Sequence, residues 1–569
     1  MVASQVGCEG IVTGGGEAAD EDGAGDDGAE DETPLPDAIG REPGAPILTI
    51  DTPLRGTMID GDTVYVSGHV QEDGSSVASL TINGRATGIA DDGSFTAAVT
   101  LPPGITILQT EAIAVDGPRS SDVRSVLAGT LADPVTSLES GITAHVGPRA
   151  FSRLADMIAG EARAINLTSA LTALNPVVDT GGGCNSARIY VSSVSRSGVE
   201  VGAAPVDGGV DVGARVSGVV VNGRVSFRVL CISGSTSWTI RAWAFGARGV
   251  FRPSLSDGGI RVGLTSVQTG FSGFSLAVGG VPQFITDLFT GAVRARVAAS
   301  MRDKIASTVP RTVNTMLRDF VAREEEVSVL GRTMRIGLYP TRMTWSRVGA
   351  TLGLRTWAIV EGNETPYLYT PTAAPSSEVM VSNDLRVSVS DDAIDQLLGG
   401  LWGSGALEAR ASESLAEDLA AMGVDTELVG GSVKLSLPPV AQFDAGAGTG
   451  SITLGDVLVE AQTATGTATL AASATIDVTA TSGADGRVRL VALPPRVVFQ
   501  MLDDRTYEKL DPELAAQFAA MVSQHLASDL DGALGSLTII PGLPQAVLSD
   551  IGFAPVGGHL VAGGTLSFQ

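Results

Sequence analysis

Few residues of this chain have types and spacing that could do chemistry. Its three cysteines are Cys8, Cys184 and Cys231, and its four histidines, His69, His145, His525 and His559, are scattered. Scattered histidines disfavour a metal centre, which needs ligands gathered at short spacing. Paired carboxylates occur at Asp391-Asp392 and in Glu324-Glu325-Glu326, and could serve as acid/base or metal groups. A plainer reading makes the aspartates favourable charges at a helix N-terminus and the glutamates a solvated helix end or linker. Gly181-Gly182-Gly183 has no helix after it, so it is not expected to cradle phosphate. The chain has no Gly-x-Ser-x-Gly elbow, His-Glu-x-x-His pair or Walker loop. An enzyme is not expected, and neither a cofactor nor a metal is implied.

The remaining chemistry lies in arginine. The 569 residues carry 37 Lys+Arg against 63 Asp+Glu, a net charge of −26, which argues against nucleic acid as a partner. Residues 141–323 reverse that balance, with 19 basic and 10 acidic residues, and all but one of the cations are Arg. Arg196, Arg224, Arg241, Arg248 and Arg252 lie near turn signals such as Ser195-Arg196-Ser197-Gly198 and Asn222-Gly223, or around Trp243 and Phe245. A guanidinium fork suits phosphate or carboxylate, and an aromatic neighbour suits an apolar–polar boundary. The plainer alternative is a solvated face.

The elements that would position these residues follow from composition. Residues 1–45 hold 1 basic and 12 acidic residues and almost nothing bulky and apolar between Val12 and Leu35, so they are expected to be a disordered acidic tether. Ser4-Gln5-Val6-Gly7-Cys8 resembles the cleavage site of a bacterial lipoprotein, which implies lipidation at Cys8 and a place in the cell envelope as an outer-membrane lipoprotein; a free Cys in a tail is the alternative. With Cys8 so assigned, Cys184 and Cys231 are one even pair, which suits a disulfide in an exported protein. Two buried thiols are the other possibility. No run of about 18 apolar residues occurs, so no membrane-spanning helix is expected.

Residues 46–132 alternate in short strands with turn signals at Asp60-Gly61-Asp62, Asn83-Gly84 and Asp91-Asp92-Gly93, the pattern of an all-β sandwich. Ser79-Leu80-Thr81-Ile82-Asn83-Gly84 and Asp92-Gly93-Ser94-Phe95 resemble bacterial immunoglobulin-like domains of the glucodextranase type, which implies a spacer or a weak binding module. From Gly141 the pattern changes. A strand runs into a helix at Pro148, with Phe151, Leu154, Ala155 and Ile158 on one face, and the arrangement recurs from Leu385 with Ile394, Leu397, Leu398 and Leu401. A unit repeated after 243 residues reads as an internal duplication. Each half also has a later apolar stripe at helical spacing. One runs from Gln283 to Phe320 with Pro310 expected to kink or split it, and one follows Asp511-Pro512-Glu513. Alternating Gly-punctuated strands lie between.

The fold class expected is α+β: two pseudo-symmetric barrels, each a curved antiparallel sheet wrapped on a long helix, joined by a central sheet. That order, read on Gly141–Ile158, Phe284–Phe320 and Leu385–Leu407 with Gly403-Ser404-Gly405, resembles the bactericidal/permeability-increasing family of tubular lipid-binding proteins over about 140–569. The divisions expected are a tether at 1–45, an immunoglobulin-like sandwich at 46–132, a first barrel at 141–330, a central sheet and linker at 331–384 and a second barrel with closing strands at 385–569. The resemblance implies acyl lipids between helix and sheet, one site per half, against Leu154, Ile158, Phe289, Val293, Val297 and Met301, then Leu397, Leu401, Phe518 and Val522. It also implies head groups at the five arginines, a disulfide inside the first barrel, and lipids and the bacterial membrane surface as partners. The alternative is an adhesion or scaffold protein that contacts glycan or protein through its sandwich, with both barrels filled.

Overall fold

The structure is a computed structural model. It describes residues 38–569 apart from 165, 257–258, 282, 289–294, 296–297, 300–301, 303–322, 383, 422–427, 444–449, 464–465, 483–487, 503–511, 537–545 and 569. The protein is mostly β with few helices, and residues 36–569 form one compact unit.

A seven-stranded antiparallel sheet runs through the middle of this unit, in the order Arg323–Val329, Arg332–Ser346, Gly349–Val360, Leu138–Val146, Leu385–Ser390, His559–Phe568 and Ala546–Val556. The duplication is visible at its centre. Strands Leu138–Val146 and Leu385–Ser390 pair antiparallel, Ile142 on Val389 and Val146 on Leu385. Each runs into a helix, Pro148–Ala164 and Asp391–Gly403. Pro148 opens the first, where its missing N–H leaves no donor unmet, and Ser390 caps the second by accepting the Ala393 N–H at 3.3 Å.

Each half has its own curled seven-stranded sheet. The first contains the strands Ser186–Ser195, Gly198–Val206, Gly209–Val229, Ile232–Ser256 and Gly259–Ser272. Gly218 sits at positive φ in the longest hairpin, where Ser197 would collide with any Cβ, and the chain bends there. The second sheet contains Gly450–Thr463, Gly466–Ser482 and Arg496–Met501, packed by helices Ala406–Ala421 and Pro512–Ser536. Of the helix expected from Gln283 to Phe320, Gln283–Leu288 is described; Phe289, Val293, Val297 and Met301 lie outside the described residues. Cys8 and residues 1–37 lie outside them as well.

Several local expectations are corrected. Asn222-Gly223 is not a turn but lies inside the strand Gly209–Val229. Its glycine is required for a different reason: a Cβ there would collide with the Trp238 indole and the Tyr190 carbonyl. Glu324, Glu325 and Glu326 form part of strand Arg323–Val329, not a helix end, with the Glu324 carboxylate accepting the Tyr339 hydroxyl. The tether reading extends too far, because Ala38–Ile39 pairs in parallel with Phe499 and Gln500 of the second-half sheet.

The region 46–132 folds as a three-stranded and a five-stranded sheet over a shared core that includes Val66, Leu80, Phe95, Leu108 and Val126. Nor does it hang free as a spacer. Arg55 donates from Nη1 to Asp456 at 2.8 Å and from Nη2 to Gln500 at 2.9 Å, and Asp456 also accepts the Ser125 N–H at 2.9 Å. Asp456 is 1% exposed. Leu127, Leu368, Leu437 and Val440 close the same junction with an apolar cluster.

Candidate functional site

The candidate lipid site is built from the helix Pro148–Ala164 and the first-half sheet beneath it. The helix packs along strand Gly198–Val206. Cross-strand register puts Val201 on Ala214, Val216 on Phe245 and Phe245 on Phe271. One sheet face is therefore apolar, and the Phe245 and Phe271 rings lie 4.9 Å apart. Among the described residues two buried clusters cover this face. Phe151, Val210, Phe251 and Val262 form one cluster near the central sheet, and Ile189, Val221, Val225, Trp238 and Ile240 form another toward the far end. Val212 and Leu264 pack half-buried against the first cluster and Val216 and Phe271 against the second, which also holds the buried Phe245 and Ala247; Val201 is half-buried, as are Leu154, Met157 and Ile158 on the helix.

The second half is different at equivalent positions. Leu397 is 1% exposed and Leu401 fully buried, in one continuous cluster with Phe443, Val459, Phe499, Val522 and Leu526. A groove wide enough for an acyl chain would admit water and leave its lining exposed, so Leu397, Leu401 and Val522 border core atoms here. Phe518 belongs to helix Pro512–Ser536, and its side chain is outside the described residues.

The five arginines divide between two places. Arg196 lies in the turn after Ser186–Ser195 and donates to the carbonyls of Ala162 at 3.1 Å and Arg163 at 2.6 Å, the C-terminal end of the helix, where the backbone dipole favours a cation. Arg224, Arg241, Arg248 and Arg252 lie within strands on the outer face, opposite the apolar one. Arg224 donates to Ser235 at 2.8 Å. Arg248 clasps Asp211 at 2.9 Å through both carboxylate oxygens, which lowers the Asp211 carboxyl pKa and raises that of Arg248. Of the first-half acyl candidates, Leu154 and Ile158 lie on the helix Pro148–Ala164, and Phe289, Val293, Val297 and Met301 lie outside the described residues; four of the five arginines stand on the opposite face of the sheet.

Cys184 and Cys231 are joined, with Cα atoms 4.0 Å apart. Cys231 is not in a strand, as its apolar neighbours suggested. It occupies the two-residue turn Leu230-Cys231 between Gly209–Val229 and Ile232–Ser256, at φ 69°.

The paired aspartates do hold a helix N-terminus, but in a buried setting. The Asp391 carboxylate accepts the Thr372 hydroxyl at 3.0 Å, and Asp392 accepts the Thr370 and Thr372 N–H groups at 2.9 and 3.1 Å. One turn on, Asp395 accepts the Ala441 N–H at 2.6 Å. Burial pushes all three carboxyls up, Asp391 to about 6 with help from the Asp392 charge, and Asp395 well above the usual range. These bonds fasten the helix to the linker and to strand Val440–Gln442. Sequence reasoning missed Asp395, whose partner lies far along the chain. A cavity of about 320 Å3 at the edge of the central sheet is lined by Glu326, Thr333, Arg335, Ile359 and Glu361, a charged lining unsuited to acyl chains.

No protein-family model matches the sequence, and no characterised protein matches it. Among solved structures, the chain aligns with a lipopolysaccharide binding protein at TM-score 0.47 and 12% identity, over 76% of this chain and 100% of that one. It aligns with P47 of Clostridium botulinum E1 at TM-score 0.25 and 7% identity, over 76% and 100%. P47 from Clostridium botulinum A2 aligns at 0.23 and 9%, over 75% and 97%. The functional reading therefore rests on this chain's own residues. Among the described residues, no helix is long and apolar enough to cross a membrane.

Proposed function

We propose that the chain is an exported, non-enzymatic lipid-binding protein of the cell envelope that holds an acyl lipid in its first half. The observation that carries this reading is the contrast at duplicated positions: Leu154 and Ile158 are half-buried where Leu397 and Leu401 are sealed. An apolar helix face left partly wet opposite an apolar sheet face is what an acyl chain would cover. The Cys184–Cys231 bond suits an oxidising compartment, which favours export. Lipidation at Cys8 would place the body at a membrane, with residues 1–37 as the tether and the sandwich docked rather than extended. The second half, filled by its own side chains, acts in this reading as a scaffold, so a single lipid site replaces the pair expected from the duplication.

Native mass spectrometry and lipid extraction of the purified chain test it. A single acyl lipid per chain is expected, lost in Ile158→Glu and retained in an Arg248→Gln control. A chain that carries no lipid and ignores added phospholipid would overturn the proposal.

A further inference from the structure

The cavity at the edge of the central sheet lies outside the lipid site. Three strands form its floor, Arg323–Val329, Arg332–Ser346 and Gly349–Val360, and side-chain alternation gives them two unlike faces. Val327, Met334, Ile336, Ala358 and Val360 pack against the second-half core. The residues between them form the opposite face in cross-strand rows: Ser328 on Thr333, then Glu326 on Arg335 and Arg335 on Ile359, then Glu324 on Gly337 and Gly337 on Trp357. The Glu361 N–H donates to the Thr333 carbonyl at 2.9 Å, which sets Glu361 at the end of the first row.

Charges on this face are of two kinds. Those farther along the strands satisfy one another. The Glu324 carboxylate accepts the Tyr339 hydroxyl, and Arg355 lies 3.8 Å from Glu139 and 5.8 Å from the centre of the Tyr339 ring. Glu326, Arg335 and Glu361 are exposed instead, and among the described residues no hydrogen bond or ion pair engages their side chains. Together with Thr333 and Ile359 they line the cavity of about 320 Å3, a size at the lower end of small-molecule sites. Trp357 lies alongside, its indole pressed over Gly337, where a Cβ would come within 2.1 Å of the ring. The floor is therefore apolar, while the rim carries two carboxylates and one guanidinium.

We infer that this cavity binds a small diamino carboxylate, a molecule with two ammonium groups, one carboxylate and a short methylene stem. Glu326 and Glu361 stand on the outer two of the three strands, roughly 10 Å apart across the sheet, with Arg335 on the strand between them. That separation is too wide for both carboxylates to close on one metal ion, whose oxygen ligands lie about 2–2.6 Å away. It suits the two ends of a diamine. The guanidinium directly opposite Glu326 offers its fork to a carboxylate, so the ligand's α-ammonium and carboxylate settle on Glu326 and Arg335. The stem crosses Ile359, and the distal ammonium meets Glu361. Two carboxylates against one guanidinium leave the rim with one negative charge in excess, and the ligand's one excess positive charge neutralises it. Exposed ion pairs contribute little singly. Here neighbouring strands hold three such groups at fixed spacing, which lowers the ordering cost of binding.

Calorimetric titration of the full chain with L-lysine tests this, beside norleucine, which lacks the distal ammonium, and cadaverine, which lacks the carboxylate. Lysine should bind about tenfold more tightly than either. Glu361→Gln should cost lysine about tenfold in affinity and leave norleucine unchanged. Arg335→Gln should weaken lysine similarly and make cadaverine no weaker. Glu139→Gln, on the same face but outside the cavity, should alter none of the three. Three results would overturn the proposal: a wild-type chain that takes up no lysine at millimolar concentration, lysine and both analogues binding alike, or Glu361→Gln weakening norleucine as much as lysine. The inference stands apart from the lipid-holding reading. These probes carry no acyl chain, and lipid extracted per chain should be the same in Glu361→Gln as in wild type, so either can fail alone.

Discussion

The two halves begin from the same plan, a central-sheet strand running into a helix, yet use it for opposite ends. In the second half, helices Asp391–Gly403, Ala406–Ala421 and Pro512–Ser536 and the curled sheet share one continuous core. In the first half the described core is split in two, and on the helix Leu154, Met157 and Ile158 are half-buried beside the buried Phe151, Ala155 and Ala159. The lesson is that duplicated apolar stripes do not imply duplicated sites. What a stripe becomes depends on what is packed opposite it, and among the described residues the second half has more helix, and the sandwich, to complete its covering.

The contrast is most directly broken by truncating matched leucines. Leu397→Ala should cost about 2–5 kcal/mol by leaving a cavity in a sealed core, and Leu154→Ala at the equivalent position about 1 kcal/mol or less. Urea unfolding of the two variants checks this, and equal losses would erase the difference between the halves.

The junction with the sandwich should come next. Arg55→Ala leaves the Asp456 carboxylate buried without its cation, at a cost of roughly 3 kcal/mol. Limited proteolysis should then release the sandwich; if it stays protected at wild-type protease levels, the junction is held by the apolar cluster alone.

Cys231→Ser sharpens the comparison from the other side. Opening a link between residues 47 apart should destabilise by about 2–4 kcal/mol under oxidising conditions only. Hydrogen exchange should locate the loss in the first-half sheet and leave the second-half amides unchanged.

A smaller effect depends on pH. Burial raises the Asp391 carboxyl from 3.8 to about 6 in the folded protein. A raised acid favours folding below its unfolded pKa and loses that contribution as pH rises through the folded one. Asp391 should therefore destabilise the second half by about 2 kcal/mol between pH 4 and pH 7. His559, whose pKa burial lowers, works the other way, because the unfolded chain takes up its proton more readily on acidification. The difference between wild type and Asp391→Asn isolates the carboxyl: the variant's thermal stability should fall less as pH rises, and parallel profiles would contradict the assignment. The smallest change is expected at Arg248→Gln: the Arg248–Asp211 pair is solvent-exposed on the arginine side, and its loss should leave the melting curve almost unmoved.

The features legible in the chain were those decided within a few residues. Pro512 opening a helix, Ser390 and the aspartates at the next helix start, Gly405 at positive φ after Gly403-Ser404, and the Asn83-Gly84 turn all follow from backbone dihedrals and local hydrogen bonds. Where a local signal had two causes, it misled. Asn222-Gly223 carries a turn's composition, but its glycine makes room for Trp238 from the next strand. Glu324–Glu326 is charged enough for a linker, but one side of it pairs with Arg332–Ser346.

Alone, the sequence determined the repeated strand-to-helix unit, the strand-rich halves around it, the acidity of the N-terminal stretch and the reversal of charge at 141–323. The tertiary structure decided which helix face is core and which is left half-wet, that four arginines stand on the outer sheet face, and that Leu230 and Ile232 end a hairpin in solvent. It also decided that Arg55 meets Asp456 across a separation of 401 residues. Periodicity records that a side chain wants to leave water, but not which surface arrives to cover it. That surface comes from segments hundreds of residues away, and its fit is settled only when the whole chain closes.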